Sequence, residues 1–67
     1  EELAALIQQL PEGTRMVFNL YAIEGYSHKE IAKDLDISIG TSKSQLFDAR
    51  KKLKEALISS QIITKEI

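Results

Sequence analysis

Residues 27–54 read SHKEIAKDLDISIGTSKSQLFDARKKLK, and the fold turns on how this stretch is divided. Ser27-His28-Lys29-Glu30 has the S-x-x-E spacing of a capping box, in which Ser27 and Glu30 satisfy each other's free backbone N–H groups. Ile31, Ala32 and Leu35 follow at the spacing of one buried helical face, so a helix of about eight residues is expected. Asp36-Ile37 turns the chain, and Ser38 is a good N-cap for another helix. That helix is expected from about Ile39 to Leu57 or beyond.

At about 100° per residue the second helix has two sides. Ile39, Ser42, Leu46, Ala49, Leu53 and Leu57 form an apolar inner stripe, with the Ser42 hydroxyl free to bond the carbonyl four residues back. Gly40, Thr41, Ser44, Phe47, Asp48, Lys51 and Glu55 lie roughly opposite. A short capped helix, a tight turn anchored by Ile37 and a longer amphipathic helix make a helix-turn-helix pattern over about residues 27–57. Ala32 suits it, because a small residue lets the helices cross closely. In that geometry the start of the second helix enters the major groove of DNA. Gly40 costs about 1 kcal/mol of helix propensity relative to Ala, and close backbone approach to a ligand is one reason to keep it.

Charge points the same way. Residues 37–54 carry Lys43, Arg50, Lys51, Lys52 and Lys54 against Asp48 alone, in a 67-residue chain of net charge −1. Residues 1–37 hold seven acids and three bases, net −4, and residues 38–67 six bases and three acids, net +3. Opposite halves fit a molecule with two faces and two partners. The plainer reading is a helical hairpin with a solvated basic end.

Upstream, Leu3, Leu6, Ile7 and Leu10 follow one helical stripe until Pro11 interrupts it. A second helix is expected from about Glu12 to Glu24, with Val17, Leu20, Tyr21 and Phe18 inward and Gly25 as its C-terminal cap. The tail from Ile58 to Ile67 reads as helix fraying into disorder. No β pattern or internal repeat is visible, so the fold class is all-α, a small four-helix domain.

The chain has no cysteine and one histidine, which excludes disulfides, thiolate zinc sites and multi-histidine metal sites. No cofactor is expected. No run approaches the roughly 18 apolar residues of a membrane span, so cytoplasmic residence without membrane insertion is the default. A first residue of Glu1 rather than Met suggests a piece of a longer protein. No Gly-rich phosphate loop or nucleophile–base set is present, so an enzyme is not expected.

Leu10-Pro11 with Arg15, EGYSHKEIAKDL at 24–35, GTSKS at 40–44 and Ala49-Arg50 followed by Leu53 together resemble region 4 of extracytoplasmic-function (ECF) sigma factors, the specificity subunits of bacterial RNA polymerase. The likeness covers about residues 10–54 in register and without a gap. It implies a helix-turn-helix of the winged-helix-like class without a wing, reading the −35 element of double-stranded promoter DNA. It also implies docking on the flap of the polymerase β subunit, and such factors are often held inactive by an anti-sigma partner. The family's −10-recognising domain is absent from these residues.

Carried over by position, the base-facing residues would be Thr41, Lys43, Ser44, Phe47 and Asp48. The phosphate-facing residues would be His28, Lys29, Gln45 and Lys51. Position 42 is commonly valine in the family and here is Ser42; positions 45 and 48 are commonly basic and here are Gln45 and Asp48. These changes bear on the target site more than on the class.

Other readings of single residues stand beside these. His28 could be an exposed helix-start residue, Glu30 could pair with Arg50 instead of only capping, and Phe47 could pack against the tail. Tyr21 and Tyr26 read as packing residues with surface hydroxyls. For the whole chain, the rivals are an interaction module that never touches DNA and the DNA-binding domain of a response-regulator or quorum-sensing factor.

Overall fold

A computed structural model describes the backbone of residues 2–66 and the side chains of residues 4–58. Its elements are α1 (Glu2–Gln8), α2 (Glu12–Phe18), a π-helical continuation of α2 (Asn19–Ile23), α3 (His28–Leu35) and α4 (Ile39–Glu66). The described residues contain no strand. The all-α expectation holds.

Each boundary follows from a local cause. Pro11 has no N–H and sits in an extended conformation, so α1 ends before it and α2 starts after it. The Arg15 guanidinium donates to the Gln8 carbonyl at 3.1 Å, taking up a terminal acceptor of α1. This gives the Leu10-Pro11…Arg15 element a structural reason: it fastens two short helices end to end.

The expected helix from Glu12 to Glu24 is continuous but not uniform. Glu24 N–H bonds Asn19 O at 3.0 Å, five residues back, and Tyr26 N–H bonds Leu20 O at 2.9 Å. The last turn is therefore widened. Gly25 closes it at φ 80°, a conformation that glycine adopts without steric cost.

The capping box at the start of α3 is complete. Ser27 Oγ accepts from Glu30 N–H at 3.1 Å, and Glu30 Oε1 accepts from Ser27 N–H at 2.8 Å. Glu30 thus caps its own helix, and no ion pair to Arg50 forms. At the other end Asp36 is left-handed (φ 58°), and the N–H groups of Asp36 and Ile37 both reach Ala32 O. Ser38 Oγ then caps α4 by accepting from Thr41 N–H at 2.9 Å.

Two clusters form the core. Leu10, Ala49 and Leu53 are packed by Leu6, Ile7 and Phe18. Val17, Ile31 and Leu46 are packed by Phe18, Leu20, Tyr21, Leu35 and Ile37. Phe18 touches both, so the clusters are joined through it.

The inner stripe of α4 is shorter than its periodicity suggests. Ser42, Leu46, Ala49 and Leu53 are buried, but Ile39 is 45% and Leu57 41% exposed. Both lie at the stripe's ends, where α1 to α3 no longer cover it. The expected fraying of the tail is not seen in the backbone, which stays helical to Glu66. The side chains expected at Leu3, Ile62, Ile63 and Ile67 lie outside the described residues. No helix among the described residues is long and apolar enough to cross a membrane.

Candidate nucleic-acid interface

The turn between α3 and α4 leaves the first turns of α4 uncovered. Gly40, Lys43, Ser44, Phe47 and Lys51 are all exposed and share one side of the helix, Phe47 with 70% of its surface free. Phe47 therefore does not pack against the tail. Thr41 and the half-buried Asp48 lie on the adjoining flank, toward α1 and α2.

Two of the expected base-facing groups already have partners. Thr41 Oγ1 accepts from the Ser38 hydroxyl at 2.9 Å. Asp48 pairs with Lys52, one turn on, at 3.1 Å. Both side chains of that pair are about half exposed, so the link is weak and can be exchanged for another partner.

The expected phosphate-facing residues divide. Lys29 and Lys51 are exposed, on α3 and α4 respectively. Gln45 instead turns toward α2, where its Oε1 accepts from the buried Thr14 hydroxyl at 2.7 Å. Position 45 flanks the core stripe, which brings its amide to the α2 surface. His28 is half-buried, with Nδ1 2.8 Å from Ser42 Oγ and its ring stacked on Tyr21 at 4.6 Å between centroids. Ser42 therefore bonds a side chain on α3 and not its own helix carbonyl, as its position alone suggested.

Arg50 and Lys54 belong to this surface although they were absent from the residues carried over by position. With Phe47 and Lys51 they line a shallow groove of about 290 Å³. The signal was present in the i, i+3, i+4, i+7 spacing of positions 47, 50, 51 and 54. The Arg50 guanidinium also lies 5.8 Å from the centre of the Tyr21 ring, a cation–π approach that holds it beside the π-helical end of α2.

The helix-turn-helix thus carries, on one side of α4, a small-residue start, an exposed aromatic and a cationic stripe. The family described as Sigma-70, region 4 matches residues 1–53 of this chain. The chain belongs to that family. Among curated relatives, the RNA polymerase sigma-H factor of Pseudomonas aeruginosa is 41% identical over 51 residues, 76% of this chain and 26% of that protein. The ECF RNA polymerase sigma-E factor of Salmonella typhimurium is 42% identical over 45 residues, 67% of this chain and 24% of that protein. The Escherichia coli (strain K12) sigma-E factor gives the same identity and coverage. The chain thus spans about a quarter of the length of these relatives. No solved structure gives a significant match.

The space around Gly40 makes one feature of this region 4 domain testable. A Cβ built there would meet nothing closer than Ser38 Oγ at 3.8 Å, so nothing inside the domain requires glycine. Gly40→Ala is expected to stabilise the fold by about 0.5–1 kcal/mol in urea denaturation. If DNA approaches the backbone here, the same change weakens duplex binding. Opposite signs in the two measurements are the expected outcome; equal or better binding would show that position 40 is solvent-facing in the complex.

Proposed function

We propose that this domain reads the −35 element of bacterial promoters as region 4 of an ECF-type sigma factor in the cytoplasm. The observation that carries the reading is the uncovered start of α4, with Gly40, Lys43, Ser44, Phe47 and Lys51 on one side, in a chain of the sigma-70 region 4 family. Lys43, Ser44 and Phe47 face the bases, Phe47 offering apolar contact to a thymine methyl. Thr41 and Asp48 reach the edge of the same groove. Lys29, Lys51 and His28 hold phosphates, and Gln45 can join them only through its amide N–H groups, since its oxygen, which accepts from Thr14, cannot donate to a phosphate. Selection of duplexes from a randomised pool tests the reading. One recurring site is expected, and failure to enrich any sequence would overturn it.

Asp48 sharpens the test. An aspartate repels phosphates but can accept a hydrogen bond from cytosine N4, a discrimination of about 1–3 kcal/mol. Asp48 exchanges Lys52 for the base at little cost, because the ion pair is half exposed. Asp48→Ala is expected to lose preference at one base position while gaining affinity for unrelated DNA. A uniform gain on every sequence would reduce Asp48 to a charge that tempers the basic cluster.

The surface of α1 and α2 is assigned to the polymerase. The notable feature there is an apolar groove of about 200 Å³ lined by Gly13, Met16, Val17, Leu35, Ile37 and Gln45. Met16 is 41% exposed, and Ala4 on α1 is exposed, while Leu6 and Ile7 are partly committed to the core. An apolar helix such as the tip of the β-subunit flap suits such a surface. Chemical-shift mapping with a flap-tip peptide should move resonances of α1 and α2; shifts confined to α4 would count against it. An anti-sigma protein would inhibit by covering either face.

A further inference from the structure

We infer that Ser42 sets the tautomer of His28, keeping Nδ1 as its acceptor so that Nε2–H is the donor presented to the DNA backbone. The backbone contact rests on the DNA-binding reading above; the tautomer does not.

The argument begins with one buried proton. Ser42 is fully buried, and among the described residues its Oγ has one partner, His28 Nδ1 at 2.8 Å. The carbonyl of Ser38 already takes the Ser42 backbone N–H at 3.0 Å, and the hydroxyl makes no bond to it. A buried hydroxyl that cannot place its proton forfeits a hydrogen bond it made with water in the unfolded chain. Nδ1 is the acceptor in reach. Donation by Ser42 Oγ requires a bare lone pair on Nδ1, and the imidazole proton then sits on Nε2. The reverse arrangement, Nδ1–H donating to Oγ, leaves the Ser42 proton with nowhere to go.

The other ring nitrogen is aimed outward. Nε2 has no hydrogen-bond partner among the described residues, and no buried side-chain nitrogen or oxygen there lacks one. Nε2 must therefore reach solvent. Stacking on Tyr21, with ring planes 21° apart, holds the direction in which it points. His28 is the first residue of α3, next to the exposed Lys29. The pair offers a backbone phosphate one uncharged donor and one cation. An uncharged donor adds a hydrogen bond without displacing a counterion, whereas the cation does displace one.

This difference gives the experiment. Nitrogen-15 NMR of the imidazole in the 67-residue chain, at alkaline pH, should show Nδ1 deprotonated and Nε2 protonated. Ser42→Ala should relax this to a mixture with the far-UV circular dichroism unchanged. A protonated Nδ1, or a mixture already in the unsubstituted chain, overturns the tautomer assignment.

Duplex titrations at the same alkaline pH then test the contact. His28→Ala should lower affinity about fivefold and leave the slope of log affinity against log salt unchanged. Lys29→Ala should make that slope shallower by about 0.9. If only Lys29→Ala has an effect, the imidazole contact is wrong and the DNA reading stands. If the unsubstituted chain binds no duplex, the contact falls with the DNA reading and NMR alone decides the tautomer.

Discussion

Raising salt from about 50 to about 200 mM is expected to weaken duplex binding roughly a hundredfold. Lys29, Arg50, Lys51 and Lys54 are exposed on the side of the domain assigned to DNA. Each phosphate neutralised adds about 0.9 to the slope of log affinity against log salt, so four contacts give a slope near −3.6. The chain's net charge of −1 does not contradict this, because the effect depends on local contacts and not on the sum. Titration of labelled duplex at four or more salt concentrations measures it. Replacing Lys51 and Lys54 together by Ala should roughly halve the slope. Binding indifferent to salt would mean that the cationic stripe is only a solvated helix face.

Ile31→Ala should be the most damaging single change to the fold, at about 2–5 kcal/mol. Ile31 is fully buried and packs with Val17 and Leu46, joining α3 to α2 and α4. A domain of this size buries only about 60% of its unfolded surface and has little stability to spare. A loss near 3 kcal/mol lowers the melting temperature by roughly 15 °C or abolishes the transition. Ile39→Ala is the control. Ile39 is nearly half exposed, so its loss should change stability by less than about 0.5 kcal/mol. Equal effects at the two positions would contradict the packing described.

The parts of this fold that depend on near neighbours in the chain were readable from it. The capping box needs only Ser27 and Glu30, three residues apart, and both bonds are present. The Ser38 cap, Gly25 and the buried run of Ser42, Leu46, Ala49 and Leu53 are equally local. What escaped depends on where other elements end. Ile39 and Leu57 keep the apolar period, yet α1 to α3 do not extend far enough to cover them. Gln45 looked outward by family position, but a buried Thr14 on α2 lies within reach of its amide. The partner of Ser42 was hidden for the same reason, since His28 is brought to it only by the crossing of α3 and α4. The widened turn at Asn19–Ile23 has no marker in residue type that periodicity would detect. For the DNA surface, position identified the exposed face; Arg50 and Lys54 were visible as cations at helical spacing from Phe47 and Lys51, and only their joining into a groove required the helix itself.

The bond from Thr14 to Gln45 has a consequence for which side chains meet a ligand. Apolar contacts resist separation of two helices but only weakly resist one of them rolling about its own axis, because dispersion and burial have little directionality. A hydrogen bond of 2.7 Å from Gln45 on one flank of α4 and another of 2.8 Å from Ser42 in its buried stripe are directional and oppose such rolling. A slip of a single residue would turn the helix by about 100°, moving Phe47 aside and bringing Asp48 toward the position it held. The polar pair beneath the helix thus fixes the azimuth of the reading head above it, and a mutation there could change which bases are read without touching any residue that reads them.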